Sequence, residues 1–373
     1  MKKKLLLVFL VVLSIACRKD KPIEEEVLWD RTPYLIAYPS YFTNPQDFLK
    51  MPDNNPLTNA GVELGRELFY DPILSANNTQ SCASCHNQKN AFSDNGKKFS
   101  EGIHGLFGSR NSMPLFNLGY MESKSKSNHR FLWDGGANDL ERQILAPIQN
   151  PLEMDESLLN VVNKLQVHSK YPKLFKKAFG SDSIYIFLVQ KAIAQFERTL
   201  ISFGSKYDKY LQTKNIAVFT QEEYSGMQTL FGVNDNGASG LGDCFHCHGS
   251  QGTYFLTDFD FHNNGLDVYP TDSGLYRITN NISDFGKFKT PSLRNLVFTA
   301  PYMHDGRFSS LDSVVEFYNS GTKNSIYVDP LIGKHFTHGG TLNLNMKQKA
   351  DLVSFLKCLT DSTFITNPKF DKP

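Results

Sequence analysis

The sequence has no surplus of charge of either sign. Across 373 residues, 39 Lys+Arg stand against 38 Asp+Glu, a net of +1, and no basic run of three or more follows Lys2-Lys3-Lys4. Nucleic-acid backbones are held by clustered cations, so nucleic acid is not an expected partner. Long apolar stretches are missing too: the run at residues 5–13 is the longest near the N-terminus, against the roughly 20 residues that span a bilayer. Tryptophan occurs twice and cysteine six times, too few cysteines for a dense disulfide scaffold. What remains is an ordinary folded composition, 40% hydrophobic and 21% charged. Single cores stop growing beyond about 250–300 residues, so two domains are expected.

The three lysines, the short apolar run and Ser14-Ile15-Ala16-Cys17 read as an export signal ending in a lipobox, with Cys17 as the lipid-bearing residue. The position three before Cys17 is Ser14 where Leu is usual, so plain secretion with cleavage near Ala16 is the competing reading. In both cases the mature chain is exported to the periplasm or cell envelope. The charged stretch that follows, to about residue 40, reads as a tether.

Four of the other five cysteines fall in Cys82-Ala83-Ser84-Cys85-His86 and Cys244-Phe245-His246-Cys247-His248. Both are C-x-x-C-H, the attachment motif of c-type haem. Two thiols on one turn can bond to one porphyrin edge, and the adjacent imidazole then reaches the iron. At this composition chance supplies the motif roughly 0.003 times. A zinc ribbon would bring its two cysteine pairs within about 15–20 residues of each other, and disulfides would leave both histidines unexplained. The last cysteine, Cys358, lies on an apolar helical face opened by Asn345 and reads as a buried thiol.

One haem domain per motif predicts a mainly α fold: two tandem cytochrome c-like domains with long irregular loops. Helices are expected at residues 60–70, 139–148, 155–166, 171–179, 183–202 and 311–319, and from the capping box at Thr220 to Phe231. The domains would divide as 1–17 signal peptide, 18–40 tether, 41–205 N-terminal haem domain and 206–373 C-terminal haem domain. Residues 93–128 and 249–289 are rich in Gly, Ser, Asn and Asp, and loops of that length in a compact domain usually carry function.

Six blocks extend the pattern. They are Leu64-Gly65-Arg66-Glu67-Leu68-Phe69-Tyr70-Asp71-Pro72; Arg110-Asn111-Ser112; Phe131-Leu132-Trp133-Asp134-Gly135; Pro147 to Met154; Ala194 to Leu200; and Thr290 to Asn295, running into Ala300 to Gly306. In this order, over about residues 60 to 359, the sequence resembles the bacterial di-haem cytochrome c peroxidase family, which includes the MauG-type enzymes.

That resemblance implies a peroxidatic N-terminal haem with His86 as proximal ligand and an electron-transferring C-terminal haem with His248. It implies Gln143 and Glu153 as the distal orienting and acid/base pair, Trp133 as a relay between the haems, and His304 and Arg294 beside the C-terminal haem. Without it, Glu153 would read as a surface carboxylate and Trp133 as core. His104 lies near a position where some members hold a resting-state axial histidine; an exposed loop histidine is the alternative. For the second axial ligand of the C-terminal haem, Tyr318 matches the MauG type, with Met303 as the competitor. Asn111, Thr299 and Pro301 match positions that hold a structural Ca2+, and oxygen donors of that kind suit it. The expected activity is reduction of hydrogen peroxide to water, with electrons from a small cytochrome or cupredoxin relayed from the C-terminal to the N-terminal haem. A MauG-like oxidase acting on a protein or small aromatic substrate, and a di-haem electron carrier, are the alternatives. Family members are often dimers, so a homodimer is an expected assembly.

Overall fold

The computed structural model describes residues 27–42, 51–123, 130–232, 241–249, 252–338 and 342–373. The signal segment, Cys17 and the first part of the tether lie outside them.

Two crossed helix pairs carry the fold, one in each half. Thr58 caps the Asn59–Tyr70 helix by accepting from Gly61 N–H, and the helix crosses Ile186–Thr199 at Gly65, where an added Cβ would lie 1.9 Å from Ala192 O. In the second half Gln221–Phe231 and Met346–Cys358 each open on a capping box, Thr220/Glu223 and Asn345/Gln348. They cross at Gly226, whose Cβ would lie 2.0 Å from Asp351 O. At both crossings the backbones touch where a side chain would hold them apart. A short helical turn carrying a haem motif follows the first helix of each pair, Cys82–Cys85 and Phe245–His248.

Irregular chain makes up much of the rest, as expected, and the described residues hold one two-stranded antiparallel ladder, pairing Phe261 with Lys289 and His262 with Phe288. The other helices are near their expected places, with physically clear differences. The helix expected at 139–148 is two turns, Leu140–Gln143 and Leu145–Gln149, because Pro147 has no N–H to donate to Gln143 O. The one expected at 155–166 begins at Leu158, where Ser157 accepts from Asn160 N–H. The stretch expected at 311–319 is helical only to Glu316, then widens into a π turn over Phe317–Gly321.

The two halves repeat one another in loops as well as helices. Phe131 bridges Ala137 and, 302 − 131 = 171 residues on, Tyr302 bridges Phe308. The second residue of each loop is left-handed, Leu132 at φ 70° and Met303 at φ 74°. Asn117 and Asn295, both at φ 59°, donate their N–H to Leu200 O at 2.7 Å and Leu359 O at 3.1 Å, the residues that end the second helix of each pair. Their side chains accept from Ser202 N–H and Asp361 N–H. Counted from these anchors, Trp133 is the equivalent of His304 (133 + 171 = 304) and Asn111 that of Lys289 (111 + 178 = 289).

Two apolar cores result. The first is built on Leu64, Leu68, Ile193 and Phe196, the second on Tyr207, Leu230, Phe355 and Leu356. Phe255, Phe259, Phe364 and Phe370 come from the second half of the chain yet pack into the first core, so the halves are sewn together. Cys358 is buried on its helix, its thiol pushed up to about 12 by burial and then by Glu223. No described helix is long and apolar enough to cross a membrane.

Gly65→Ala should lower the stability by about 1–3 kcal/mol, the usual cost of overpacking, whereas Gly108→Ala, whose Cβ meets nothing within 4 Å, should leave the melting temperature unchanged; thermal denaturation followed by circular dichroism checks both.

Candidate active site

Each haem-motif turn presents its histidine in the form that binds iron. His86 Nδ1 lies 2.9 Å from Phe92 O, and His248 Nδ1 lies 3.0 Å from Leu256 O. A carbonyl can only accept, so Nδ1 carries the proton and Nε2 keeps its lone pair. Burial holds both imidazoles below the ordinary histidine range although those carbonyls pull the other way, so both are neutral. Cys82, Cys85, Cys244 and Cys247 are free of disulfides. Paired free thiols beside a neutral, tautomerically fixed imidazole are what a c-type haem requires.

The N-terminal cavity, about 810 Å³, is lined by Cys85, His86, Trp133, Gln143 and Glu153. The break in the helix at Pro147 sets Gln143 at the end of one turn and Glu153 beyond the next. Gln143 Oε1 is buried with no hydrogen-bond partner among the described residues, an acceptor turned to whatever fills the cavity. Asn150 Nδ2 donates to Glu153 Oε1 at 2.7 Å, and Glu153 O accepts from Ile103 N–H at 2.9 Å. Burial raises the Glu153 carboxyl above its usual range, and the Asn150 bond opposes the shift. His104 is not part of this cavity's lining. Its Nε2 lies 2.8 Å from Asp155 Oδ2, with the side chain 50% exposed.

The C-terminal cavity, about 230 Å³, is lined by Cys244, Cys247 and His248 and by many apolar side chains. Tyr318 and Met303 both line it, and one amide joins them: Asn264 Nδ2 lies 3.1 Å from Tyr318 Oη and 3.5 Å from Met303 Sδ. Tyr318 sits in the π turn, a distortion common at functional sites. Burial pushes its phenol up to about 12 despite the Asn264 bond.

The cavities share a wall that includes Asn111, Trp133, Lys289 and His304. Trp133 Nε1 donates to Asn111 O at 2.8 Å. Asn111 N–H donates to His304 O at 2.6 Å, and the equivalent Lys289 N–H donates to Trp133 O at 2.9 Å. His304 stacks on Phe288 at 3.6 Å. At one end Arg110 joins Asp134 at 2.7 Å and Asp272 through two bonds, and Arg277 also meets Asp134.

The expectation for Arg294 is corrected. It is fully buried, its guanidinium bonded at 2.8 and 2.7 Å to the two oxygens of Asp208, its Nε to Tyr254 O. It lines neither cavity, because the buried Asp208 carboxylate claims its charge. Asn111, Thr299 and Pro301 all border the C-terminal cavity, and the Asn111 amide donates to Lys97 O and Lys98 O. The single cluster of three metal-ligating side chains among the described residues is elsewhere, at Cys247, Asp258 and His262. There Asp258 and Asp329 bond both nitrogens of His262. Burial would lower its pKa, but these carboxylates push it up to about 12. Asn264, Lys289 and His262 had no distinguishing signal as single residues; aligning the two halves would have exposed Lys289 as the partner of Asn111.

The chain is 32% identical to the methylamine utilization protein MauG of Methylorubrum extorquens over 90% of this chain and 88% of that one. It is also 33% identical to the cytochrome c551 peroxidase of Nitrosomonas europaea, over 80% and 79%. The protein belongs to the di-haem cytochrome c peroxidase family. The family model of that description matches residues 59–215. A solved structure of a MauG-like protein associated with microbial copper homeostasis superposes with a TM-score of 0.78 at 34% identity, covering 91% of this chain and 99% of that one. Membership of this di-haem family means that both C-x-x-C-H turns carry c-type haem.

Because the Asn150 bond opposes the raised Glu153 pKa, Asn150→Ala should raise it further. If ionised Glu153 is the active form, the acid limb of the pH–rate profile moves to higher pH while the alkaline limb stays in place.

Proposed function

We propose that this enzyme reduces hydrogen peroxide to two waters, taking up two electrons and two protons, at the N-terminal haem, with electrons entering through the C-terminal haem. The observation that carries this reading is the pairing of a half-buried Glu153 with the buried, unpartnered Gln143 Oε1 in the cavity of His86. The N-terminal haem, when bound, supplies the iron centre to which peroxide coordinates and through which electrons reach it. Glu153 accepts the proton of the nearer peroxide oxygen and delivers it to the farther one, so that water can leave. Gln143 Oε1 accepts from the far O–H and orients it. Trp133, bonded to Asn111, and His304, bonded to the same residue, carry electrons across the shared wall. A small cytochrome or cupredoxin is the donor class.

Tyr318, which lines the C-terminal cavity and whose phenol oxygen would hold the iron of that haem, supports a second reading, a MauG-like oxidase of a protein or small aromatic substrate. A phenolate favours the more oxidised iron, whereas the Met303 thioether would favour the reduced one. Asn264 bonds the phenol oxygen at 3.1 Å and so favours Tyr318. For His104 to act as a resting-state ligand it would have to leave Asp155. We further infer export through the N-terminal signal, a lipid anchor at Cys17 in the periplasm or cell envelope, a Ca2+ held by Asn111, Thr299 and Pro301, and a homodimer.

Glu153→Gln should lower peroxide turnover by about 10²-fold or more with both haems still attached, measured with reduced small cytochrome c and again with an artificial donor; unchanged turnover removes its acid/base role, and no turnover with either donor in the wild type leaves the electron carrier. Tyr318→Phe should change the low-spin haem signal in electron paramagnetic resonance, and an unaltered signal returns the ligand role to Met303.

A further inference from the structure

Lys289 is a buried cation with no carboxylate at ion-pair distance among the described residues. It is 3% exposed, and its Nζ donates to Phe259 O at 2.8 Å while lying 4.7 Å from the centre of the Phe261 ring. An ammonium has three donors, and among the described residues no carboxylate comes within ion-pair distance of this one. The other cations of the cavity walls are all answered: Arg110 by Asp134 and Asp272, Arg277 by Asp134, Arg307 by Asp267 and Asp305. So are the fully buried Arg198, by Glu141, and Arg294, by Asp208. Taking a charge out of water without a counter-charge is costly, so the fold leaves a place for an anion.

The place is defined by the lining. Lys289 borders both cavities, but the carbonyl that holds its Nζ belongs to Phe259, which borders only the N-terminal one. The duplicated scaffold sharpens the contrast. Asn111 and Lys289 stand at the same offset from Asn117 and Asn295, 117 − 111 = 295 − 289 = 6. One half therefore has a neutral amide where the other has an ammonium. Burial pulls the Lys289 pKa down to about 8, with Asp258 and Asp260 opposing.

We propose that Lys289 is the counter-ion of a propionate carboxylate of the N-terminal haem, holding that haem against the shared wall and raising its reduction potential relative to the C-terminal haem. The inference rests on the di-haem reading above. A propionate charge stabilises oxidised iron; an ammonium beside it cancels part of that stabilisation, and a neutral residue does not. Lys289 thus acts as a positioning residue: it shifts the reactive haem toward its reduced form and distinguishes two sites built on one repeated plan.

The test uses the full-length holoprotein and two variants. Lys289→Gln retains a donor for Phe259 O and removes the charge; Lys289→Arg retains both. Haem content by pyridine haemochrome should be two per chain in all three, and fewer than two in the wild type overturns the haem reading and this proposal with it. Spectroelectrochemical titration, with the N-terminal haem identified by its cyanide-sensitive spectrum, should show its oxidised-to-reduced ratio at fixed ambient potential rising about tenfold in Lys289→Gln, a fall of about 59 mV for one electron. Lys289→Arg should stay near the wild type. Exchanging chloride for phosphate should leave the wild-type potential unaltered, because the anion is covalently part of the cofactor. An unchanged potential in Lys289→Gln, a shift confined to the C-terminal haem, or a wild-type potential that follows the buffer anion would each overturn the proposal; loss of haem from Lys289→Gln but not Lys289→Arg would support it.

Discussion

Two backbone hydrogen bonds that cross between the halves hold the functional part of this protein together: Asn111 N–H to His304 O and Lys289 N–H to Trp133 O. Each joins a segment of one half to the bridged loop of the other. The loops at Trp133 and His304 are thereby pinned in a left-handed backbone that Leu132 and Met303 would not choose alone. These bonds tie Trp133, Asn111 and His304 together within the wall that the two cavities share. Backbone groups at buried positions must be paired, so the same bonds satisfy the local accounting and fix the distance between the two sites.

Around this wall the duplicated scaffold is used asymmetrically. In both halves a glycine lets two helices touch, a left-handed asparagine docks on the end of the second helix, and a C-x-x-C-H turn follows the first. The differences lie in what faces each cavity. The larger N-terminal cavity has a carboxyl group lifted by burial and an unpartnered amide oxygen, suited to moving a proton and orienting a small polar substrate. The smaller C-terminal cavity is apolar, with Tyr318, Met303 and Asn264 gathered at one side. A proton-moving site beside a smaller, apolar one is the division of labour expected of a reactive centre supplied by an electron-transfer centre.

Several residues show how expectation and structure can diverge for physical reasons. Arg294 matched a cofactor position, yet an invisible partner 294 − 208 = 86 residues away, Asp208, claims it. His104 stands in the expected loop, but a hydrogen bond to Asp155 holds it at the exposed surface. Tyr318 and Met303 read as rival ligands and prove to be neighbours on one amide. Long-range partners decide such cases, and a linear pattern carries no information about them.

By itself the sequence determined the haem motifs, the individual helices with the caps at Thr220 and Asn345, the mainly α class and the family blocks, because these depend on neighbouring residues and on periodicities of a few positions. Only the tertiary structure decided that Gln143 and Glu153 share a cavity with His86, that the C-terminal phenylalanines complete the first core, and that Lys289 lies buried between the two cavities with no carboxylate at ion-pair distance among the described residues. Those facts depend on how distant segments pack, and packing is settled by which buried charges and backbone groups find partners across the fold.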